Sequence, residues 1–500
     1  ACFLSVFATI GTLPLARYHK QIRSLMVLVA AALCIAPRAW AQALPDLGDA
    51  SGAVLSPRME RRIGESIARE IRYRDPSYLD DAEVSDYLNT LGHRLVALSP
   101  GARLDFEFFA IRDSAINAFA LPGGFIGVHT GLLLAAESES ELASVLAHEI
   151  SHVTQRHIVR LIGAQQQMSI PTMAALVIAV LAARSRPDLA QGAMMASQAG
   201  AIQSQINYTR DFEREADRVG FALLTAAGFD VSAMTVFFEK LQRATRVFDD
   251  GTPSYLRTHP VTTERIADAQ GRVAQAPYRQ HADAVEFQLV RAKLRAESGE
   301  ARDAVAQFST ALRDRRYADE TAARFGLASA LLRERRFKEA AAAAMQLRSG
   351  SVKSPMIEAL AARASQAAGD SNEAFDILRE ARARYPYSRP LAYAWLEALQ
   401  AAGRTPEALA AVGEQLRAWP RDADLYAFQA KTYSKLGKRA LQHQSQAEFY
   451  ALQGVLPAAI EQLQLAQSAG DGSFYELSSV DARLKGLREE HTRELREAKK

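Results

Sequence analysis

Cysteine is almost absent from this chain of 500 residues, because its only two cysteines, Cys2 and Cys34, lie near the amino terminus. A chain that loses its first forty or so residues would contain no thiol at all. Disulfides, CxxC redox chemistry and cysteine-ligated zinc are then excluded, which suits an oxidising compartment. Any metal must be held by histidine and carboxylate side chains.

An excess of one charge is also lacking, since 60 basic and 57 acidic residues give a net charge of +3. No single-sign field exists to attract nucleic acid, which we exclude as the primary partner. The hydrophobic content of 48% is ample for packed cores. The length exceeds what one core usually holds, so at least two domains are expected.

Long hydrophobic runs are scarce as well. Basic residues between positions 17 and 23 precede the apolar run Leu25 to Ala36, and Ala39-Trp40-Ala41 follows as a small-residue exit. This pattern predicts a secretory signal peptide over residues 1–41, a mature start at Gln42 and a periplasmic location. The alternative is a membrane anchor, but the run is too short to span a bilayer.

A second apolar segment, Ile170 to Ala183, is also too short for a straight membrane span. We interpret it as a buried or lid-like helix beside a functional site. Shallow membrane contact is the alternative, so at most peripheral contact with a membrane is expected.

The hydrophobic patterns predict a mainly α chain with a small β-sheet. Residues 42–280 mix amphipathic helices with a few strand-like runs, whereas residues 281–480 are rich in Ala, Arg, Leu and Glu without convincing strands. We place the domain boundary near residue 280. Residues 481–500 read as a charged, solvated terminal helix.

The second half repeats with a period of 34 residues, the spacing from Gly369 to Gly403 and from Gly403 to Gly437. Pro386 and Pro420 have the same spacing. Turn positions also fall at Gly299 and Arg336, and alanines follow the turns at positions 304, 340, 374 and 408. A helix-turn-helix period of this length resembles tetratricopeptide repeats, which stack into an α-solenoid with a binding groove. An alanine-rich bundle with accidental spacing is the alternative.

The segment His148-Glu149-Ile150-Ser151-His152 carries the strongest chemical signal. Ser138 and Glu141 have capping-box spacing and predict a helix that continues through this motif. On a helix, His148 and His152 lie one turn apart on one face and can reach a single zinc ion, with Glu149 within reach of a metal-bound water.

A third ligand is expected from a second amphipathic helix that contains Glu213, Glu215 and Asp217. Glu213 and Glu215 point to different sides of such a helix, so only one of them can easily bind the metal. We choose Glu213, because Asp217 one turn later can then hydrogen-bond a ligand imidazole and fix its tautomer. Glu215 is interpreted as a surface residue, and the small Gly220 lets the two helices approach closely. The alternative is a cluster of surface charges without a metal.

The run Phe125, Ile126, Gly127 and Val128 is strand-like and is entered through two glycines. It has the character of an edge strand that could pair with an extended substrate, although an ordinary sheet strand would look the same. His93, His129 and His157 have no partner at ligand spacing and are interpreted as structural or surface residues.

Four motifs together resemble the gluzincin metallopeptidases related to HtpX and the CAAX prenyl proteases. They are HEISH at 148–152, ExxxD at 213–217, NAFA with PGG at 117–124, and THP at 258–260 followed by Arg265-Ile266. The resemblance spans nearly all of residues 43–487, and it is specific in the first half but loose in the repeats.

The resemblance implies one zinc ion per chain, held by His148, His152 and Glu213, with Glu149 as the general base. It also implies that His259 lies near the metal, either as a fourth ligand in a resting state or as a donor to the transition state. For a secreted member with repeats, it implies unfolded or outer-membrane proteins as substrates and contact with the outer-membrane β-barrel assembly machinery through the repeats.

Two functions of different classes follow from these residues. The first is zinc-dependent endoproteolysis, in which Glu149 takes a proton from a metal-activated water and passes it to the leaving amine. The second is a non-proteolytic chaperone or adaptor of outer-membrane assembly, in which the repeats bind partners and His259 closes the zinc site.

Overall fold

The structure, a computed structural model, describes residues 55–99, 104–163, 210–247, 255 and 259–498. The predicted signal peptide and the apolar segment Ile170 to Ala183 lie outside the described residues. Within the described part of the chain, no helix combines the length and apolar character that crossing a membrane requires.

The first half alternates helices with four short strands. Its elements are α1 (Pro57–Arg74), β1 (Tyr78–Leu79), α2 (Ala82–Val96), β2 (Glu107–Ile111), β3 (Ala118–Leu121), β4 (Phe125–His129), α3 (Thr130–Ala135), α4 (Glu139–Thr154), α5 (His157–Gly163), α6 (Arg210–Ala226), α7 (Ser232–Val247) and α8 (Thr263–Gln275).

The helix that carries the HEISH motif begins as its sequence predicts. The side chain of Ser138 accepts a hydrogen bond from the backbone N–H of Glu141 at 3.2 Å. The Glu141 carboxylate accepts in turn from the backbone N–H of Glu137 at 3.0 Å, one residue before the cap. The first bond satisfies a backbone N–H that the helix start leaves open, and the second holds the chain just before the cap.

The four strands form one mixed sheet in the order β1-β2-β4-β3. β4 pairs in parallel with β2, in register Phe109↔Gly127, and antiparallel with β3, in register Phe119↔Gly127. β1 pairs antiparallel with β2. Since β4 has a neighbour on each side, β3 and β1 are the edges of the sheet.

The predicted edge strand, Phe125, Ile126, Gly127 and Val128, is therefore an inner strand, and this prediction was wrong. Its backbone groups are already paired on both sides, so a substrate could not add to it. Gly127 has a packing role, because a Cβ there would lie 2.3 Å from the ring of Phe119 in β3. The preceding Gly123 and Gly124 have φ of 76° and 99°, which a tight turn between β3 and β4 requires.

Helix α6 packs along α4, which brings the two chemical motifs together. The closest approach is at Gly220, where a Cβ would lie 3.2 Å from the backbone of Ala147 and His148. A larger side chain at this position would push α6 away from the HEISH motif.

The second half consists of antiparallel helix pairs, which confirms the predicted solenoid of tetratricopeptide-like repeats. The helices are α9 (Val285–Glu297), α10 (Ala301–Arg313), α11 (Glu320–Arg333), α12 (Phe337–Ser349), α13 (Pro355–Ala368), α14 (Ser371–Arg384), α15 (Arg389–Ala401), α16 (Thr405–Ala418), α17 (Ala423–Lys435), α18 (Arg439–Leu452), α19 (Leu456–Ser468) and α20 (Phe474–Ala498).

The small residues of the repeat lie where paired helices touch and turn. Gly299, Gly369, Gly403 and Gly437 have φ between 59° and 95°, and Arg335 has φ of 63° in the one pair without a glycine. The alanines at positions 304, 340, 374 and 408 are all buried. A longer side chain at these alanines would separate the helices of a pair.

The last helix differs from the expected solvated segment 481–500. α20 already begins at Phe474, and Val480, Leu484 and Leu487 are buried in a cluster with residues of α18 and α19. The charged residues occupy the other face. α20 is therefore a packed element of the solenoid.

The repeats contact the first half through charged side chains. Lys293 of α9 lies 2.5 Å from Asp81 and 2.6 Å from Glu83 at the start of α2, and Arg363 of α13 lies 2.9 Å from Glu83. Arg389 of α15 approaches Asp86 at 3.9 Å. The predicted boundary near residue 280 falls in the irregular connection between α8 and α9.

Candidate metal centre

Helix α4 holds His148, Glu149 and His152 in the interior of the protein, where all three side chains are buried. The Nε2 atoms of His148 and His152 lie 2.9 Å apart, as expected for two imidazoles one helical turn apart that face one point. Both carboxylate oxygens of Glu149 are buried, and neither accepts a hydrogen bond from any residue that the structure describes.

Helix α6 presents Glu213 to the two histidines. Its Oε2 lies 3.5 Å from His148 Nε2 and its Oε1 lies 3.5 Å from His152 Nε2, and the residue is only 2% exposed. The packing of α6 on α4 therefore brings the carboxylate that we chose from the sequence against the HEISH motif.

His259 joins these residues from the segment before α8. Its Nδ1 lies 2.9 Å from Glu213 Oε1 and 3.3 Å from His148 Nε2, and its Nε2 lies 3.4 Å from Glu149 Oε1. The His259 ring also stacks on the buried ring of Tyr255, with centroids 4.7 Å apart. The structure thus brings together all four residues that the resemblance places at the metal.

The spacing of the four donor atoms fits a zinc ion. His148, His152, Glu213 and His259 each offer one donor within 4.8 Å of the others, and the closest donor distances are 2.9 to 3.5 Å. A tetrahedral zinc site with bonds of about 2.0–2.1 Å needs donors about 3.3–3.4 Å apart. Three imidazoles and one carboxylate are also ligands that zinc accepts.

The electrostatics of the cluster favour a positive charge at its centre. Burial opposes the charged form of His148, but the carboxylates of Asp217 and Glu213 outweigh burial and raise its pKa to about 9. Burial and the neighbouring His148 hold the pKa of His152 well below its usual value. Burial opposes ionisation of Glu213, yet His259 and Arg265 lower its pKa well below normal. The raised pKa of His148 means that the two carboxylates favour a positive charge beside them. A bound cation would provide this charge in place of the proton on His148.

Asp217 fixes the orientation of His148. Its Oδ1 lies 3.0 Å from His148 Nδ1, so the ring can donate Nδ1–H to the carboxylate and turn the Nε2 lone pair toward the other donors. Burial alone would raise the pKa of Asp217, but Arg265 and His148 hold it below normal.

Arg265 in α8 supports both carboxylates, a role that sequence reasoning missed. Its Nε and Nη2 donate to Asp217 Oδ2 and Oδ1 at 2.6 and 2.8 Å, and its Nη1 lies 2.8 Å from Glu213 Oε2. The sequence signal for this role was that Arg265 follows His259 by six residues and belongs to the same motif.

His157 and Glu215 form a second support that the sequence did not reveal. His157 is buried, with its Nδ1 at 2.9 Å from His152 Nδ1 and its Nε2 at 3.2 Å from Glu215 Oε2. Glu215 also binds Arg160 at 2.8 Å, is 27% exposed and lies outside the donor cluster, so it is a partly exposed residue that supports His157. Burial lowers the pKa of His157 to about 4 and outweighs Glu215, which raises this pKa. The ring of His157 is therefore neutral near pH 7.

Three further histidines of the described residues lie away from the donor cluster. His129 is buried with its Nδ1 at 3.5 Å from Asp113, and His93 packs edge-on against Phe108. His281 binds Glu139 at 3.1 Å at the junction with the repeats. None of these three belongs to a group of metal donors within the described residues.

Comparison with known proteins identifies the group to which this arrangement belongs. Residues 83–273, which contain every member of the cluster, match peptidase family M48. The beta-barrel assembly-enhancing protease of Escherichia coli is 31% identical over 456 residues, covering 90% of this chain and 92% of its own. This chain belongs to peptidase family M48.

Further relatives of this M48 peptidase match shorter stretches. A relative from Vibrio cholerae is 43% identical over 274 residues, which cover 54% of this chain and 56% of its own. The mitochondrial metalloendopeptidase OMA1 of Schizosaccharomyces pombe is 31% identical over 212 residues, covering 41% of this chain and 59% of its own. The chain is a zinc metallopeptidase with a repeat region behind the catalytic half.

Proposed function

We propose that this M48 peptidase is a periplasmic endopeptidase that cleaves unfolded or outer-membrane proteins, with one zinc ion held by His148, His152 and Glu213. The observation that carries the proposal is a buried set of donors at zinc spacing beside a buried carboxylate, Glu149, whose oxygens have no hydrogen-bond partner. Zinc, when bound, lowers the pKa of a coordinated water toward about 7 and polarises the scissile carbonyl.

Glu149 is the proton carrier of the reaction. Because neither of its oxygens accepts a hydrogen bond within the described part of the chain, Glu149 can take the proton of the attacking water and deliver it to the nitrogen of the leaving amine. Because the carboxylate is fully buried, little bulk water competes for that proton. Asp217 and Arg265 hold the ligands in place and take no part in the proton transfer.

The substrate binds along β3, Ala118–Leu121, rather than along β4. Among the described strands β3 pairs with β4 only, so its outer edge can accept an extended peptide. β3 also packs against α4, the helix of the HEISH motif. Backbone pairing along this edge would allow substrates of many sequences.

Replacing Glu149 with glutamine tests the endopeptidase. We expect hydrolysis of fluorescently labelled casein to fall by about a hundredfold to ten-thousandfold, with zinc content unchanged. Glu137→Gln is the matched control, since this side chain is 76% exposed and lies just before the same helix. Wild-type hydrolysis by Glu149→Gln would rule out the proposed role.

One observation favours the second candidate function, a non-proteolytic chaperone or adaptor. With His259 among the donors, four protein ligands complete a tetrahedron, which is typical of structural zinc sites. In an adaptor, neither the wild-type chain nor His259→Ala would hydrolyse casein, while both would still bind protein partners. If either form hydrolyses casein and this hydrolysis is lost on Glu149→Gln, the chain is a peptidase.

The cellular setting is proposed from the predicted signal peptide and from the name of the E. coli relative. We expect the repeats to bind the outer-membrane β-barrel assembly machinery, with no nucleic acid and at most peripheral membrane contact. The exported protein should begin at Gln42, which intact-mass measurement can check. Cross-linking from the repeats to assembly proteins in the periplasm tests the partner.

A further inference from the structure

A cavity of about 240 Å³ lies in the first repeat, away from the metal donors. It is lined by α9, by α10, by the connection between α10 and α11 and by the start of α11, and it is partly open to solvent. Arg291 and Arg295 of α9, Phe308 of α10, and Arg316 and Tyr317 of the connection contribute to its lining. The proposed peptidase chemistry does not use any of these residues.

Arg291 is an unusual charge in this cavity, because it is only 6% exposed and makes no ion pair within 4.0 Å among the described residues. Its best polar contacts are long, at 3.3 Å to Gln288 Oε1 and 3.5 Å to the carbonyl oxygen of Leu134. Its Nε is buried and donates to no acceptor among the described residues. Buried guanidinium groups are normally paired, so Arg291 lacks an acceptor that a ligand could provide.

The neighbouring charges add to this unsatisfied positive site. Arg295 and Arg316 are exposed and likewise form no ion pair among the residues that the structure describes. The carboxylate of Asp319, which also lines the cavity, accepts the backbone N–H of Ala322 at 2.6 Å and caps α11.

More distant groups do not neutralise Arg291. Burial is the main cause that lowers the pKa of Arg291, and the positive charge of Arg295 lowers it further. The carboxylates of Asp283, Glu141 and Glu137 raise this pKa, but they offset the lowering only in part. The cavity therefore favours an anionic occupant.

Part of the cavity wall is apolar and well fixed. A Cβ at Gly326 of α11 would lie 2.3 Å from the ring of Phe308, so this ring sits directly on the helix backbone. Alanines 292, 311, 318, 322 and 323 line the cavity as well. The volume of about 240 Å³ is many times the ~10–15 Å³ that a single water needs, so a whole amino-acid residue fits.

We propose that this cavity binds the carboxyl-terminal residue of a polypeptide, with the carboxylate on Arg291, Arg295 and Arg316 and an apolar side chain against Phe308. A terminal residue supplies the carboxylate and the apolar group within a single residue. An internal Asp or Glu supplies a carboxylate alone and would leave the ring of Phe308 without an apolar group from the same residue. A carboxylate can accept two parallel hydrogen bonds from a guanidinium, which Arg291 lacks at present.

Peptide binding to the full-length chain tests the site. The probe is a hexapeptide of glycine and serine that ends in leucine, labelled at its amino terminus and followed by fluorescence anisotropy. We expect the free acid to bind at least about tenfold more tightly than the same peptide with an amidated carboxyl terminus. Equal binding of acid and amide would overturn the proposal.

Substitutions at the rim assign the binding to this cavity. Arg295→Ala and Arg316→Ala should each weaken the free acid by about tenfold without changing the amide, because both residues are exposed and can be replaced without disturbing a core. Arg302→Ala, which removes an exposed arginine of α10 outside the cavity lining, should leave binding unchanged. An equal loss in Arg302→Ala would show non-specific attraction.

Two competitors decide whether the ligand is a terminal residue. A peptide that ends in glycine should bind more weakly than the leucine peptide, because it leaves Phe308 uncovered. Inorganic phosphate should displace the leucine peptide only at much higher concentration than an unlabelled copy does. Equal binding of the glycine peptide, or displacement by phosphate at the same concentration, would indicate a general anion site and contradict the proposal.

Discussion

Replacing Asp217 with asparagine tests how the metal centre is oriented. Asp217 Oδ1 lies 3.0 Å from His148 Nδ1, and the carboxylate accepts hydrogen bonds from two nitrogens of Arg265 at 2.6 and 2.8 Å. Asparagine has almost the same size but only one acceptor oxygen. It can serve His148 or Arg265 but not both, so the tautomer and the direction of the His148 ring are no longer fixed.

The expected size of the effect follows from these contacts. Loss of a hydrogen bond behind a metal-bound imidazole typically costs about tenfold to a hundredfold in metal affinity. This corresponds to about 1.4–2.7 kcal/mol. Arg265 keeps its contact with Glu213 at 2.8 Å, so the free energy of unfolding should fall by about 2 kcal/mol, less than the ~3–5 kcal/mol of a fully broken buried pair.

The assay is a zinc titration against a competing chelator, with thermal unfolding measured in parallel. At saturating zinc we expect Asp217→Asn to recover most of the wild-type rate on casein, because Glu149 is unchanged. Asp211→Asn is the control, since it lies on the same helix with a side chain that is 85% exposed. Wild-type zinc affinity in Asp217→Asn would refute the orienting role.

Three further outcomes are expected. Glu213→Gln should lose most of the zinc, whereas Glu215→Gln should keep it. Elemental analysis of the two purified variants can check this, and the reverse result would show that Glu215 is the ligand. His259→Ala should raise basal proteolysis at some cost in zinc affinity, because His259 Nδ1 lies among the donors; a loss of about a hundredfold with zinc retained would instead indicate an oxyanion donor. Burial raises the pKa of Asp86 to about 6 in the folded chain, above its value in the unfolded chain. The contribution of this residue to folding stability is therefore fully present below about pH 4, where the carboxyl is protonated, and is lost as the pH rises through about 6. Asp86→Asn should therefore gain stability relative to wild type between pH 4 and pH 7, by about 1 kcal/mol after solvent screening, and a pH-independent difference in melting temperature would contradict this.

The parts of the fold with local signals were predictable. The helix of the HEISH motif follows from its cap at Ser138 and its apolar spacing. The repeats follow from a period of 34 residues, because each helix pair repeats the same turn and the same small contact residues. Helical spacing also separated Glu213 from Glu215, since residues two apart face different sides of a helix.

The order of the strands could not be read from the sequence. The run 125–128 has the composition of a strand, but nothing in it shows whether one or two neighbours will pair with it. In the structure β2 and β3 flank this strand, and its Gly127 leaves room for the ring of Phe119. The edge that could pair with a substrate is β3, the strand that contains Ala118.

The supports of the metal donors were likewise invisible along the chain. His157 contacts His152 and Glu215, and Arg265 joins Glu213 to Asp217, but each contact links different helices. No periodicity connects residues on separate helices, because their distance depends on how the helices pack.

The sequence by itself therefore determined the chemical class of this protein and its repeating architecture, because both depend on spacing within single helices and helix pairs. Only the tertiary structure decided which strand is an edge, which residues orient the metal donors, and that Arg291 has no carboxylate partner in the described part of the chain. Those features depend on contacts between residues far apart in the chain, and such contacts are set by the packing of the whole core.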